Sequence, residues 1–154
     1  MARFALIFCL LFALAAAPAS AADADLWATL NVCDTDAHPN AIGIRASMPG
    51  GKPKSRLLMR FRVQYRDPSD GRWRAVRDAD SGWRRIGRGR AVRESGWSFE
   101  VAGEGPQILR GVVTYRWMRA GRATRHARRV TEGGHRSTIG ADPVDFSAAT
   151  CRID

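Results

Sequence analysis

An all-β, antiparallel sandwich of about seven to eight strands is the fold class this sequence predicts, on three observations. From Leu26 onward the apolar residues recur with period two in short runs. Gly, Pro, Asp and Asn separate those runs at intervals of roughly ten residues, the spacing of strands joined by tight turns. Helical periodicity is nearly absent.

Leu26–Cys33 is the first predicted strand, with Leu26, Leu30 and Val32 on one face. Ile42–Met48 is the second, stopped by Pro49-Gly50-Gly51. Residues 57–66, LLMRFRVQYR, form the clearest ribbon: Leu57, Met59, Phe61, Val63 and Tyr65 point one way, Arg60, Arg62, Gln64 and Arg66 the other. Asp67-Pro68-Ser69-Asp70-Gly71 turns the chain, Arg72–Arg77 returns as a hairpin partner carrying Trp73 and Val76, and Asp78–Gly82 breaks it. In Trp83–Val92, Gly87 and Gly89 weaken any regular element, leaving one short strand and a loop. Gly96–Val101 alternates again. Ile108–Arg119 is the second long strand, with Leu109, Val113, Tyr115 and Trp117 inward and Arg110, Thr114 and Arg116 outward. Ala120-Gly121 fits a two-residue hairpin turn, which favours a returning strand over a helix for Arg122–Thr131. Phe146–Ile153 is the last strand.

Ahead of this domain, Met1 and Arg3, the apolar run Phe4–Ala17 and the small residues up to Ala22 read as a secretory signal peptide over residues 1–22, cleaved near Ala22. The run is shorter than the roughly 20 residues a membrane-spanning helix needs, and no later stretch approaches that length. Residues 23–154 then make one domain, destined for the cell envelope, the periplasm or the exterior. Cys9 leaves with the leader. The remaining pair, Cys33 and Cys151, meets an oxidising compartment and predicts one disulfide. It spans 118 positions and brings the first and last elements together.

The formal charge is +10, with 23 arginines against 2 lysines. Such a surface attracts nucleic acids, anionic wall polymers and acidic membranes. The same arginine excess, with abundant alanine and glycine, is also what a genome rich in G and C writes on any solvated face.

The strand Trp27–Cys33, the segments MRFRVQY, SGW and LRGVVTYRWMRAG, and the FSAATC ending together cover most of Leu26–Ile153. This arrangement resembles secreted bacterial domains of the immunoglobulin or fibronectin type III kind, which implies an immunoglobulin-like β-sandwich closed by one disulfide. It departs from antibody domains, whose bridge joins two inner strands beside a core tryptophan, whereas Cys33 and Cys151 would join the two ends of the chain. No functional residue carries over from the resemblance.

Arg84, Arg85, Arg88, Arg90 and Arg93 form the densest positive patch, and a second runs through Arg122, Arg125, Arg128, Arg129 and Arg136. Guanidinium groups there suit bidentate contacts to phosphates, and equally a charged surface that keeps sheet edges from pairing. Of Trp27, Trp73, Trp83, Trp97 and Trp117, four fall in predicted strands and are expected to fill the core, while Trp83 beside the arginine loop is expected at the surface. Asp34, Asp36 and Asn40 share one loop and Asp78 and Asp80 another, but neither has a calcium loop's full set of oxygen ligands, so no metal is expected.

Glu94, Glu100, Glu104, Glu132, His126 and His135 offer the residue types of a small basic ribonuclease. There is, however, no G-x-S-x-G elbow, no H-E-x-x-H and no phosphate-cradling glycine loop. These observations favour an exported, non-enzymatic binding or adhesion module without a cofactor. It would contact an anionic envelope polymer through Arg84, Arg85, Arg88, Arg90, Arg93 and Trp83, or another exported protein. The alternatives are a ribonuclease-like hydrolase and a protein-binding module whose charge is incidental.

Overall fold

The computed structural model describes residues 24–101, 105–135 and 139–154, and in them nine strands follow one another with no helix between. They are β1 (Trp27–Thr35), β2 (His38–Met48), β3 (Arg56–Arg66), β4 (Trp73–Asp80), β5 (Arg84–Arg88), β6 (Arg93–Glu100), β7 (Gln107–Arg119), β8 (Arg122–Val130) and β9 (Cys151–Ile153). The expected leader over residues 1–22, with its cleavage near Ala22, lies outside the described residues, as do Glu104 and Arg136.

Two antiparallel sheets result. The small one has the order β1-β2-β6. The large one has β3 and β7 at its centre, in register from Arg56 opposite Met118 to Tyr65 opposite Leu109. On the far side of β3, β5 pairs along Arg56–Met59 and β4 along Arg62–Arg66. On the far side of β7, β8 pairs along Val112–Arg119 and β9 along Gln107–Leu109. Ala120 and Gly121, with φ of 48° and 79°, make the β7–β8 hairpin turn, whose two left-handed residues match the strands' natural twist.

Alternation decides what lies between the sheets. Leu57, Met59, Phe61 and Val63 of β3 and Leu109, Val113, Tyr115 and Trp117 of β7 are buried, in one cluster with Leu30, Ile42, Ile44 and Met48 of the small sheet. The Tyr115 hydroxyl donates to the Trp27 carbonyl at 2.6 Å, which supplies the partner that a buried phenol requires. At Gly111 the sheets approach so closely that a Cβ would stand 2.6 Å from Thr131 Cγ2 and 2.9 Å from Ile44 Cδ1. Cys33 of the small sheet and Cys151 of the large one are bonded, with Cα atoms 5.4 Å apart, so the bridge ties one layer to the other.

The strands depart from expectation in three places. There are nine where the fold class was expected to have seven to eight, matching the segments read singly along the chain. The last strand is Cys151–Ile153, not Phe146–Ile153. The preceding residues instead run along the open edge of β1, where Leu30 and Ala148 exchange hydrogen bonds of 3.0 and 3.1 Å. β4 continues through Asp78, at φ 61°, to Asp80, with a register shift against β3 absorbing the irregular residues. Trp83–Val92 does give one short strand, β5, and a loop; within β5 a Cβ on Gly87 would meet Arg93 Nε at 2.8 Å, so this glycine makes room for a neighbour.

The tryptophans depart further. Trp117 alone among them is fully buried, its indole N–H donating to the Pro49 carbonyl at 3.0 Å. Trp27, Trp73 and Trp83 are half-buried, and Trp97 rather than Trp83 is the most open, 36% exposed.

Replacing both Cys33 and Cys151 by Ser is expected to lower stability by about 4–5 kcal/mol, read as the urea midpoint shift under non-reducing conditions. Gly111→Ala, which forces Thr131 and Ile44 apart, is expected to cost about 1–3 kcal/mol in the same assay with an unchanged dichroism spectrum.

Candidate functional site

Once β3 and β7 put their apolar residues inward, their alternate residues must share the outer surface of the large sheet. The register sets these out as cross-strand rows: Gln64 with Arg110, Arg62 with Val112 and Val130, Arg60 with Thr114 and Arg128, and Leu58 with Arg116 and His126. From the other side, Arg85 falls in line with Leu58 and Arg88 with Arg56. Seven of the residues so placed are arginines: Arg56, Arg60, Arg62, Arg85, Arg88, Arg110 and Arg116, and Arg128 adds an eighth from β8.

Their side chains lie along the sheet. Val112 points outward yet is 1% exposed, flanked in register by Arg62 and Val130, as expected where long aliphatic stems cover apolar surface while their charged heads reach water. Two guanidiniums rest on indoles: Arg110 lies 4.1 Å from the Trp73 ring centroid and Arg116 4.0 Å from that of Trp83. Arg110 is further held by two hydrogen bonds to Gln64 Oε1, of 3.0 and 2.9 Å. Arg62 reaches Thr114 Oγ1 at 3.3 Å.

Charge on this face is poorly neutralised. Asp80 is the carboxylate that meets it, and Arg60 takes it up with Nε hydrogen bonds of 2.8 and 3.0 Å and a further contact from Nη2. Arg62 Nε and Arg116 Nε are buried without a hydrogen-bond partner among the described residues. Burial first, and then the neighbouring Arg128 charge, pushes the Arg110 guanidinium below its ordinary pKa. An incoming anion would relieve that repulsion, and the stacked and hydrogen-bonded side chains have little freedom left to lose on binding it.

The arginines singled out in the sequence do not form one patch. Arg85 and Arg88 join the outer face just described. Arg84, opposite buried Met59, instead lays its guanidinium 4.3 Å from the Trp97 centroid of β6, spanning the gap between the two sheets. Arg93 opens β6 in the small sheet, opposite Met48. Arg90 lies between them in a loop that is pinned by Gly51 N–H to Gly89 carbonyl and Gly89 N–H to Ser55 carbonyl bonds of 2.8 and 3.0 Å. Trp83 lies under Arg116, so the indole presents an edge where an open ring was expected.

The second cluster is also divided. Arg125 covers Trp117 at 4.5 Å, Arg129 Nε donates to the Leu26 carbonyl at 3.1 Å, and Arg128 belongs to the outer face. The residue types that a ribonuclease would use are dispersed: His135 stacks on Trp27 at 4.5 Å and meets Glu132 at 3.3 Å, Glu94 meets Arg45 at 3.5 Å, and His126 sits across from Arg116. Asp80 Oδ1 accepts the Gly82 N–H at 2.9 Å in an Asx turn, whereas Asp34 Oδ1 accepts the N–H of Asn40, six residues on, at 2.7 Å. No protein-family model, curated protein or solved structure matches the chain.

The Arg60 hydrogen bond, more than the Gly82 N–H and the nearby Arg60 and Arg62 charges, holds the Asp80 carboxyl below its ordinary range. A carboxylate depressed in the folded state stabilises above its unfolded pKa and loses that contribution as pH falls through the folded value. Asp80→Asn should therefore be less stable than the parent at neutral pH, by under about 1 kcal/mol because the pair is part-exposed. The two should converge as pH falls through the lowered pKa of the folded Asp80 carboxyl, measured by urea unfolding across the acid range.

Proposed function

We propose that this domain is an exported, non-enzymatic binding module of the immunoglobulin-like kind that holds a phosphate-bearing envelope polymer on the outer face of its large sheet. The observation that carries this reading is the pair of stacks, Arg110 on Trp73 and Arg116 on Trp83, which hold two guanidiniums in place on a face whose Asp80 carboxylate is already engaged by Arg60. Pre-positioned guanidiniums match phosphate oxygens better than mobile ammonium groups do. Because the indoles already carry arginines, the face offers charge rather than open platforms for stacking bases. That favours recognition of a polyphosphodiester backbone over recognition of nucleobases. Export, read from residues 1–22, and the absence of recognisable catalytic motifs agree with such a role.

The test is a salt series on immobilised poly(glycerol phosphate), with single-stranded DNA as comparison. Log affinity should fall linearly with log salt, and Arg62, Arg110 and Arg116 changed together to Ser should reduce the slope by about 2 units. A salt-independent response would sink the reading. A cleared band in an RNA activity gel would replace it with the ribonuclease-like alternative.

A further inference from the structure

At the end of the large sheet, beyond the Gln64–Arg110 row of the arginine face, the β3–β4 turn and the starts of β7 and β9 line an open groove of about 690 Å³. Its walls are of two kinds. Tyr65, Val76 and Ile108 supply apolar surface, and Ile108 is 38% exposed although it sits in a strand opposite Arg152. Arg66, Arg77 and Arg152 supply three positive charges to the same groove. Asp67, the carboxylate in the wall, is engaged by Arg74 Nε at 2.6 Å and by the Ser69 hydroxyl at 2.6 Å, so it does not neutralise them. Arg152 meets Asp154 at 2.8 Å in a largely exposed pair.

We propose that this groove binds a single-chain amphiphile with an anionic phosphate head. Each half of the lining accounts for one half of such a ligand. Covering Ile108, Val76 and Tyr65 removes apolar surface from water, a gain that a bare phosphate could not obtain. The three guanidiniums provide charge-assisted contacts that an uncharged chain could not use. The volume falls within the range of small-molecule sites and is too small for a folded partner. The inference is independent of the polymer-binding face, since Arg66, Arg77 and Arg152 are none of the residues stacked there.

Titration of the ¹⁵N-labelled protein with decyl phosphate below its micelle concentration tests this directly. Saturable shifts should centre on the amides of Tyr65, Val76 and Ile108. Affinity should exceed that of decanol and of inorganic phosphate by about tenfold each. Changing Arg66 and Arg77 together to Ser should remove about tenfold, and Ile108→Ser should weaken decyl phosphate while leaving inorganic phosphate unchanged. These side chains are largely surface groups, so an unchanged spectrum in the free variants certifies the fold. Equal binding of decanol, equal binding of inorganic phosphate, or shifts confined to Arg110 and Thr114 would each overturn the assignment, whereas loss of polymer binding by the face variants would leave it standing.

Discussion

The pairing of β3 with β7 is the constraint from which the rest of the structure follows. Across the register from Arg56–Met118 to Tyr65–Leu109, Leu57, Met59, Phe61 and Val63 and Leu109, Val113, Tyr115 and Trp117 are buried at alternate positions, and the intervening positions are mostly arginine, threonine or glutamine. A slip of one residue would carry the arginines into the core and the core residues to water. Burying several unpaired guanidiniums costs far more than any alternative register could return, so charge fixes the alignment as firmly as greasiness does. The core and the arginine face are two sides of one decision, and neither can be altered wholesale without the other.

That coupling explains how a strongly basic surface coexists with a stable sheet. Like charges placed side by side repel, and the Arg110 pKa is lowered first by burial and then by the neighbouring Arg128 charge. The compensation comes from contacts that use the whole side chain: indoles beneath Arg84, Arg110, Arg116 and Arg125, stems along Val112, and carbonyls for Arg129. Each stack is worth roughly 0.5–1 kcal/mol where it is exposed to solvent. Four of them on a domain of this size are a structural theme, and they account for why tryptophan is frequent while only one indole is fully buried.

How far the chain could be read in advance follows the same division. β3 and β7 are plain in the sequence because one face of each is wholly apolar, and their inward residues are those the alternation names. The disulfide is plain because two cysteines remain once the N-terminal apolar run is set aside, and the returning strand β8 follows from Ala120-Gly121. The irregular parts are less visible. A positive-φ Asp78 can be tolerated inside β4 only because a register shift against β3 accommodates it. Phe146–Ile153 reads as one strand, yet β9 shrinks to Cys151–Ile153 because the residues before it bond to the edge of β1. The outward arginines are legible as outward, but their stacking partners come from strands distant in sequence, so Trp83 reads as an open ring when it is in fact roofed by Arg116. The patch from Arg84 to Arg93 reads as one unit because it is contiguous, and it divides because the chain crosses from the large sheet to the small one within it.

The link from Cys33 to Cys151 clasps the opening strand of one layer to the closing strand of the other. A tug on the polypeptide outside those two positions is therefore transmitted through sulfur, and the strands in between bear no load. Tension that would peel apart an unclasped pair of sheets therefore leaves the arrangement of β2 to β8 undeformed.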